Sequence, residues 1–171
     1  AGKGIGPGLL MATFQAFMQA WSEDAAEPAL LAGRLSLALS KRTTTNRFIT
    51  AFLALLDPRD GSLTFTNAGH NPILLLRADG TQELLPSQGF PLAMFPGGDY
   101  GQGALHLQPG DLLFLYTDGI TEAADPEGIE FDIDLIAGVL RNLGAPPLED
   151  LHRGLNEALL RHTKGAPLAD D

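Results

Sequence analysis

The chain contains no cysteine. Disulfide frameworks and thiolate metal sites are therefore excluded, and the composition accords with a reducing compartment. No apolar run approaches the roughly 18 residues of a membrane span. The N-terminus shows no charged, apolar and small-residue succession of the kind that marks a secretory signal. Basic residues are scarce, 11 Lys and Arg against 21 Asp and Glu, for a net charge of −10. A field of that sign repels nucleic acid and anionic lipid, so neither is expected as a partner. The acidic balance has two readings: plain solubility, or carboxylates gathered to receive cations. Several catalytic signatures are missing too. There is no H-E-x-x-H, no G-x-S-x-G, no G-x-G-x-x-G and no phosphate loop of the form G-x-x-x-x-G-K-[ST].

What is present suffices for one domain. The 171 residues are 44% hydrophobic, and a chain of about this length buries roughly 70% of its unfolded surface. "AGKGIGPG" at residues 1–8 leads into a segment where Leu10, Phe14, Phe17, Met18 and Trp21 recur at three- and four-residue steps. This spacing predicts a helix over 9–21. Pro7 suits a first helical position, where its missing N–H has no partner to lose. A second helix is expected over 28–42, with Leu31, Leu35, Ala38 and Leu39 on one face.

The pattern then changes. "RFITAFLALLD", the turn "PRDG", "SLTFTNAG", "PILLLR", the turn "ADG" and "TQELL" read as a meander of antiparallel strands. Residues 86–103, rich in Gly and Pro, are expected to form an irregular loop near the surface. "ALHL" and "LLFLYTDG" make a further hairpin across "QPGD". Helices are expected again over 132–142 and 147–163, separated by Pro146-Pro147. Helices, then antiparallel strands, then helices is an α+β order rather than alternating βαβ.

Few residues offer chemistry. "GKGIGPG" at a helix start could present N–H groups and Lys3 to an anion, or serve only as a flexible lead-in. His70, in the turn "NAGHNP", is either a ligand or a hydrogen-bonding turn residue. Asp118 follows the apolar run 112–116, with Gly119 permitting a turn without a Cβ clash and Glu122 four residues on. Asp170-Asp171 close the sequence. Carboxylates from distant segments, gathered at sheet ends, make an oxygen-rich site suited to Mg²⁺ or Mn²⁺. Equally, Asp118-Gly119 could be a plain turn and the terminal pair a solvated tail.

Taken together, "GKGIGPGLLMA", "RFITAFLALLDPRDGSLTFTNAGHNPILLLR", "GFPLAM", "LQPGDLLFLYTDGITEA" and "GAPLADD" resemble the SpoIIE-type branch of the PPM, or protein phosphatase 2C-like, metal-dependent serine/threonine phosphatases. The matches span nearly the whole chain in the family's order. The resemblance implies an αββα sandwich of two facing antiparallel sheets flanked by helices. It implies a binuclear Mn²⁺ or Mg²⁺ centre and hydrolysis of phosphoserine or phosphothreonine by a metal-activated water, without a phosphoenzyme. Asp118 and Asp170 match the family's metal-binding aspartates, and Glu122 falls where some relatives hold a ligand for a third ion. The implied substrate is a phosphorylated regulatory protein such as an anti-sigma factor antagonist, in bacterial cytoplasmic signal transduction, with a sensory domain upstream in the parent. The alternative is a degenerate relative that acts as a non-catalytic protein-binding module.

The resemblance also implies a metal-bridging aspartate two positions before Ala1, strands ahead of it, and a strand after Asp171. Residues 1–171 are accordingly expected to be a truncated phosphatase domain that needs these parts from a longer parent.

Overall fold

The computed structural model describes residues 4–23, 26–43, 47–144 and 146–166. Its elements fall into two compact units, residues 1–72 with 86–107, and residues 73–85 with 108–171.

The first unit opens with two helices, α1 (Ile5–Trp21) and α2 (Pro28–Ser40). Helix α1 begins four residues before the sequence pattern suggested. Pro7 lies within its first turn, where no intrahelical N–H bond is lost, and so does not delay the start. Helix α2 has Pro28 at its first position and ends at Ser40, two residues short of the expected boundary. Leu31, Leu35 and Leu39, at four-residue spacing, bury one face of α2. They join Leu10 of α1, Ile49, Leu53, Ala68 and Leu92 in one apolar cluster. The aromatic residues of α1 flank that cluster: Phe17 stacks on Trp21 with ring centroids 4.7 Å apart, and the Arg34 guanidinium lies 4.1 Å from the Trp21 ring centre.

Three antiparallel strands complete this unit: β1 (Ala51–Leu56), β2 (Ser62–Ala68) and β5 (Gly103–His106), in the order β1-β2-β5. The register sets Leu53 opposite Thr66 and Leu63 opposite Leu105. Within the intervening loop, β3 (Ile73–Leu76) and β4 (Gln82–Leu85) belong to the second unit.

The segment expected to be irregular, 86–103, contains no regular strand up to Gly103, which starts β5, but its residues do not all lie at the surface. Leu92 is fully buried and exchanges two backbone hydrogen bonds with Ile49, at 2.7 and 3.0 Å. The Ser36 hydroxyl of α2 accepts from Ala93 N–H at 3.0 Å, and Thr66 Oγ1 donates to Gly101 O at 3.0 Å. These partners satisfy the backbone polar groups that would otherwise keep a buried loop in water. Phe90, Met94 and Phe95 are among the residues of this segment that stay exposed.

The second unit carries the sheet β4-β3-β6, with β6 spanning Leu112–Phe114. All four residues of the central strand β3 are buried, which explains its unbroken apolar sequence. Helices α3 (Asp118–Thr121), α4 (Ile133–Leu143) and α5 (Leu148–His162) follow. Ile136, Ala137 and Leu140 of α4 pack with Leu151, Leu155, Ala158 and Leu159 of α5 against Leu74 and Leu76. Asp132 caps α4 by accepting from Leu135 N–H at 2.9 Å. Glu149 and Asp150 start α5, and Arg161 and His162 end it, which matches the helix dipole at both ends.

Candidate active site

The apolar run 112–116 was expected to end as a strand directly on Asp118. Strand β6 stops earlier, at Phe114, and Leu115 is already half exposed. Thr117 is extended, and Asp118 is the first residue of the single-turn helix α3. Gly119 is buried within that turn, and it is absent from the glycines at positive φ. The turn at Gly119 is helical and does not use left-handed backbone.

The Asp118 side chain is exposed, and so is that of Glu122. Glu122 closes α3, its N–H donating to Asp118 O at 2.8 Å. One tight turn therefore carries both carboxylates at its two ends. They are hard oxygen donors, the chemistry that Mg²⁺ and Mn²⁺ prefer. Among the described residues no group of three or more His, Cys, Asp or Glu is arranged to hold a metal. Asp170, the third expected ligand, lies outside the described residues. Asp118 and Glu122 thus fit the donor type of a divalent centre but do not by themselves complete one.

The segment behind α3 is firmly braced. Phe131 N–H donates to Ala123 O at 2.8 Å. Asp125 Oδ1 accepts from the N–H groups of Glu127 and Ile129, both at 2.9 Å. The Ile129 N–H, together with the Glu127 amide and the nearby His162, holds the Asp125 carboxyl below the usual carboxylate range. His162 Nε2 is 2.8 Å from Ile129 O and its ring rests on Phe131. Lys164 binds both oxygens of Glu127 at 3.0 Å. His162 therefore has a structural place, one the sequence could not assign because its partners lie 33 residues away.

"NAGHNP" also resolves as scaffold. Asn67 is fully buried. Its Oδ1 accepts from His70 N–H at 2.8 Å, and its Nδ2 donates to Asn71 O at 3.2 Å. Gln88 clamps the same residue, accepting from Asn67 N–H at 3.0 Å and donating its own N–H to Asn67 O at 2.8 Å. The turn is built on the backbone of His70, in keeping with its reading as a turn residue.

Sequence reasoning missed Asp111. In "QPGD" it looked like turn punctuation. Its side chain is only 2% exposed and lies 2.8 Å from Arg77 Nη1. Burial pushes its carboxyl up, but the N–H of Gln108, the Arg77 guanidinium and the N–H of Ala78 outweigh burial and hold it below the usual range.

The architecture matches solved phosphatase domains. The SiaA-PP2C domain of Pseudomonas aeruginosa superposes with a TM-score of 0.84 at 22% identity, covering 100% of this chain and 69% of that one. The PP2C phosphatase domain of SpoIIE from Bacillus subtilis, solved with a fragment of its regulatory domain, gives 0.78 at 23% identity, covering 100% and 50%. The fold is therefore the α+β fold of PP2C-type phosphatase domains. The sequence matches the family described as Stage II sporulation protein E (SpoIIE) over residues 1–171, and the chain belongs to that family. Among curated relatives, "Phosphoserine phosphatase RsbU" of Bacillus subtilis is 30% identical over 128 residues, 74% of this chain and 38% of RsbU. "Protein IcfG" of Synechocystis is 37% identical over 79 residues, 46% of this chain and 12% of IcfG. The chain thus spans well under half the length of these relatives.

Proposed function

We propose that residues 1–171 form a phosphatase domain that hydrolyses phosphoserine or phosphothreonine on a regulatory protein, such as an anti-sigma factor antagonist. The observation that carries this reading is the placement of Asp118. In a chain of the SpoIIE family, the aspartate of the Asp-Gly pair stands exposed at the head of a short turn, close after the half-buried strand β6. Asp118 and Asp170 would hold a divalent ion, Mn²⁺ or Mg²⁺, and Glu122 would serve a further one. A bound pair of such ions supplies Lewis acidity that activates water at neutral pH and offsets phosphoryl charge. The protein's part is to keep Asp118 at a fixed place. The hydrogen bonds of α3 and of the segment 123–131 that follows it restrain the turn that carries Asp118.

Membership of the family and the phosphoserine phosphatase relatives support the substrate class. No helix among the described residues is long and apolar enough to cross a membrane.

The test is Asp118→Asn in the intact protein, with manganese titration by calorimetry alongside turnover on a phosphoprotein. Loss of a ligand should weaken metal binding and lower turnover by at least about a hundredfold. The unfolding midpoint should hold, because the side chain is exposed and buries nothing. An Asp118→Asn protein that binds manganese and turns over like the parent defeats the assignment. An intact parent that binds a protein partner but shows no turnover would identify a binding module instead.

A further inference from the structure

We propose that a cavity in the first unit, lined by Arg42 and Arg47, binds a phosphate-class oxyanion. The cavity measures about 200 Å³, and Gly6, Leu10, Thr13 and Thr43 complete most of its wall. Among the described residues no carboxylate lines it. That is unusual for this chain, in which acidic residues outnumber basic ones 21 to 11. Five cations elsewhere find acids, Arg59 with Asp57, Arg77 with Asp111, Arg153 with Asp150, Arg161 with Glu157 and Lys164 with Glu127, while Arg34 lies over Trp21 and Arg141 reaches Ala137 O. Among the described residues neither Arg42 nor Arg47 has such a partner.

Both guanidinium groups are set in place by contacts that leave donors to spare. Arg42 lies over the Phe17 ring, 5.1 Å from its centre, and touches Ala38 O at 3.5 Å. Stacking fixes the plane of a guanidinium without consuming its five N–H groups. Arg47 rests directly against Gly6, where any side chain would strike the guanidinium. Position 6 thus leaves the space that the Arg47 head occupies. Two like charges round one opening repel, and an anion between them turns that repulsion into attraction. Planar guanidinium forks match the oxygens of a phosphoryl group two at a time. Among the hydroxyls, Thr13 already donates to Leu9 O at 2.8 Å, so the arginines supply the positive charge.

Size narrows the ligand. The cavity equals about six or seven water volumes, at ~30 Å³ each. It has room for one tetrahedral group on a short stem. Two guanidinium groups favour a dianion over a single carboxylate, which points to a phosphate monoester or to inorganic phosphate. The site is made of first-unit residues, and the argument for it does not use Asp118.

The experiment titrates inorganic phosphate into the full chain in EDTA at low salt, where screening is weak, and follows the amide signals of Gly6, Leu10 and Thr43 by NMR. EDTA removes divalent ions, so a carboxylate metal centre cannot capture the anion, and failure here leaves the phosphatase assignment untouched. A phosphoserine peptide and its unphosphorylated twin form the other arms. Saturable shifts of these three amides with phosphate or with the phosphopeptide, and none with the twin, are expected. Arg47→Gln should weaken binding about tenfold, and Arg47→Lys, which keeps the charge and loses the fork, by less. Tighter binding of the phosphopeptide than of phosphate identifies a phosphorylated side chain as the ligand, and equal binding identifies the free anion. Absence of saturable shifts with both probes overturns the proposal, and so does binding that is unchanged in Arg47→Gln and Arg47→Lys.

Discussion

Arg77 Nη1 donates to Asp111 Oδ2 at 2.8 Å, joining strand β3's end to the start of β6 across 34 residues of sequence. The same carboxylate accepts from Ala78 N–H at 3.0 Å and from Gln108 N–H at 2.9 Å. Three donors therefore meet at one nearly buried side chain. Asp111→Ala strands two amides and a partly covered guanidinium. It should cost about 2–3 kcal/mol of stability, read as a lower urea midpoint at unchanged slope. A midpoint equal to the parent's would contradict the assigned role.

The same residue should leave a mark on the pH dependence of folding. Its folded pKa is depressed below the unfolded value, which is about 3.9. A depressed carboxylate contributes stability that is present above the unfolded value and is lost as pH falls through the folded one. The stability gap between the parent and Asp111→Asn should therefore be widest near neutrality and close progressively below about pH 4. The other aspartates with lowered values, Asp57, Asp60, Asp79 and Asp125, are common to both proteins and cancel. A gap that stays constant from pH 7 to pH 2 would exclude the linkage.

Gly69 and Gly80 offer a matched comparison. Both have positive φ, +69° and +87°. A Cβ at Gly69 would strike the Pro91 ring, whereas one at Gly80 meets nothing within 4 Å. Gly80→Ala should cost about 1 kcal/mol, from backbone strain alone. Gly69→Ala adds a clash and should cost at least about 2 kcal/mol. Thermal unfolding of the two variants side by side decides it, and equal losses would remove Pro91 from the explanation.

Asn67 and His70 should also separate. Asn67→Ala removes the acceptor for His70 N–H and the donor to Asn71 O from a fully buried position, for a loss of about 2 kcal/mol. His70→Gln keeps the backbone N–H that the turn uses and should change stability by no more than about 0.5 kcal/mol. Turnover of the intact protein should also survive His70→Gln. A large loss of turnover with an intact fold would give the imidazole a chemical role that the turn geometry does not require.

Much of the fold was legible along the chain because local rules fix it. The four-residue spacing of Leu31, Leu35 and Leu39 placed a helix, and it forms with that face buried. The alternation in "SLTFT" and the turn "PRDG" placed β2 and its antiparallel partner β1. Pro146-Pro147 separated the last two helices as expected. The order of motifs identified the family, and Asp118 and Glu122 as its acidic candidates, because a short motif keeps its residues together in sequence. Tertiary structure decided the rest. Periodicity cannot show that β6 ends at Phe114, since Leu115 and Tyr116 are as apolar as the strand before them. It cannot show that Leu92, within a Gly- and Pro-rich loop, is buried, because Ile49 and Ser36 supply its segment's hydrogen bonds from far along the chain. Nor can it pair Asp111 with Arg77, or bring Arg42 and Arg47 to one cavity beside Gly6. Each of these depends on a contact between distant segments. The burial and charge balance that give such contacts their energy come into being only when the chain has packed.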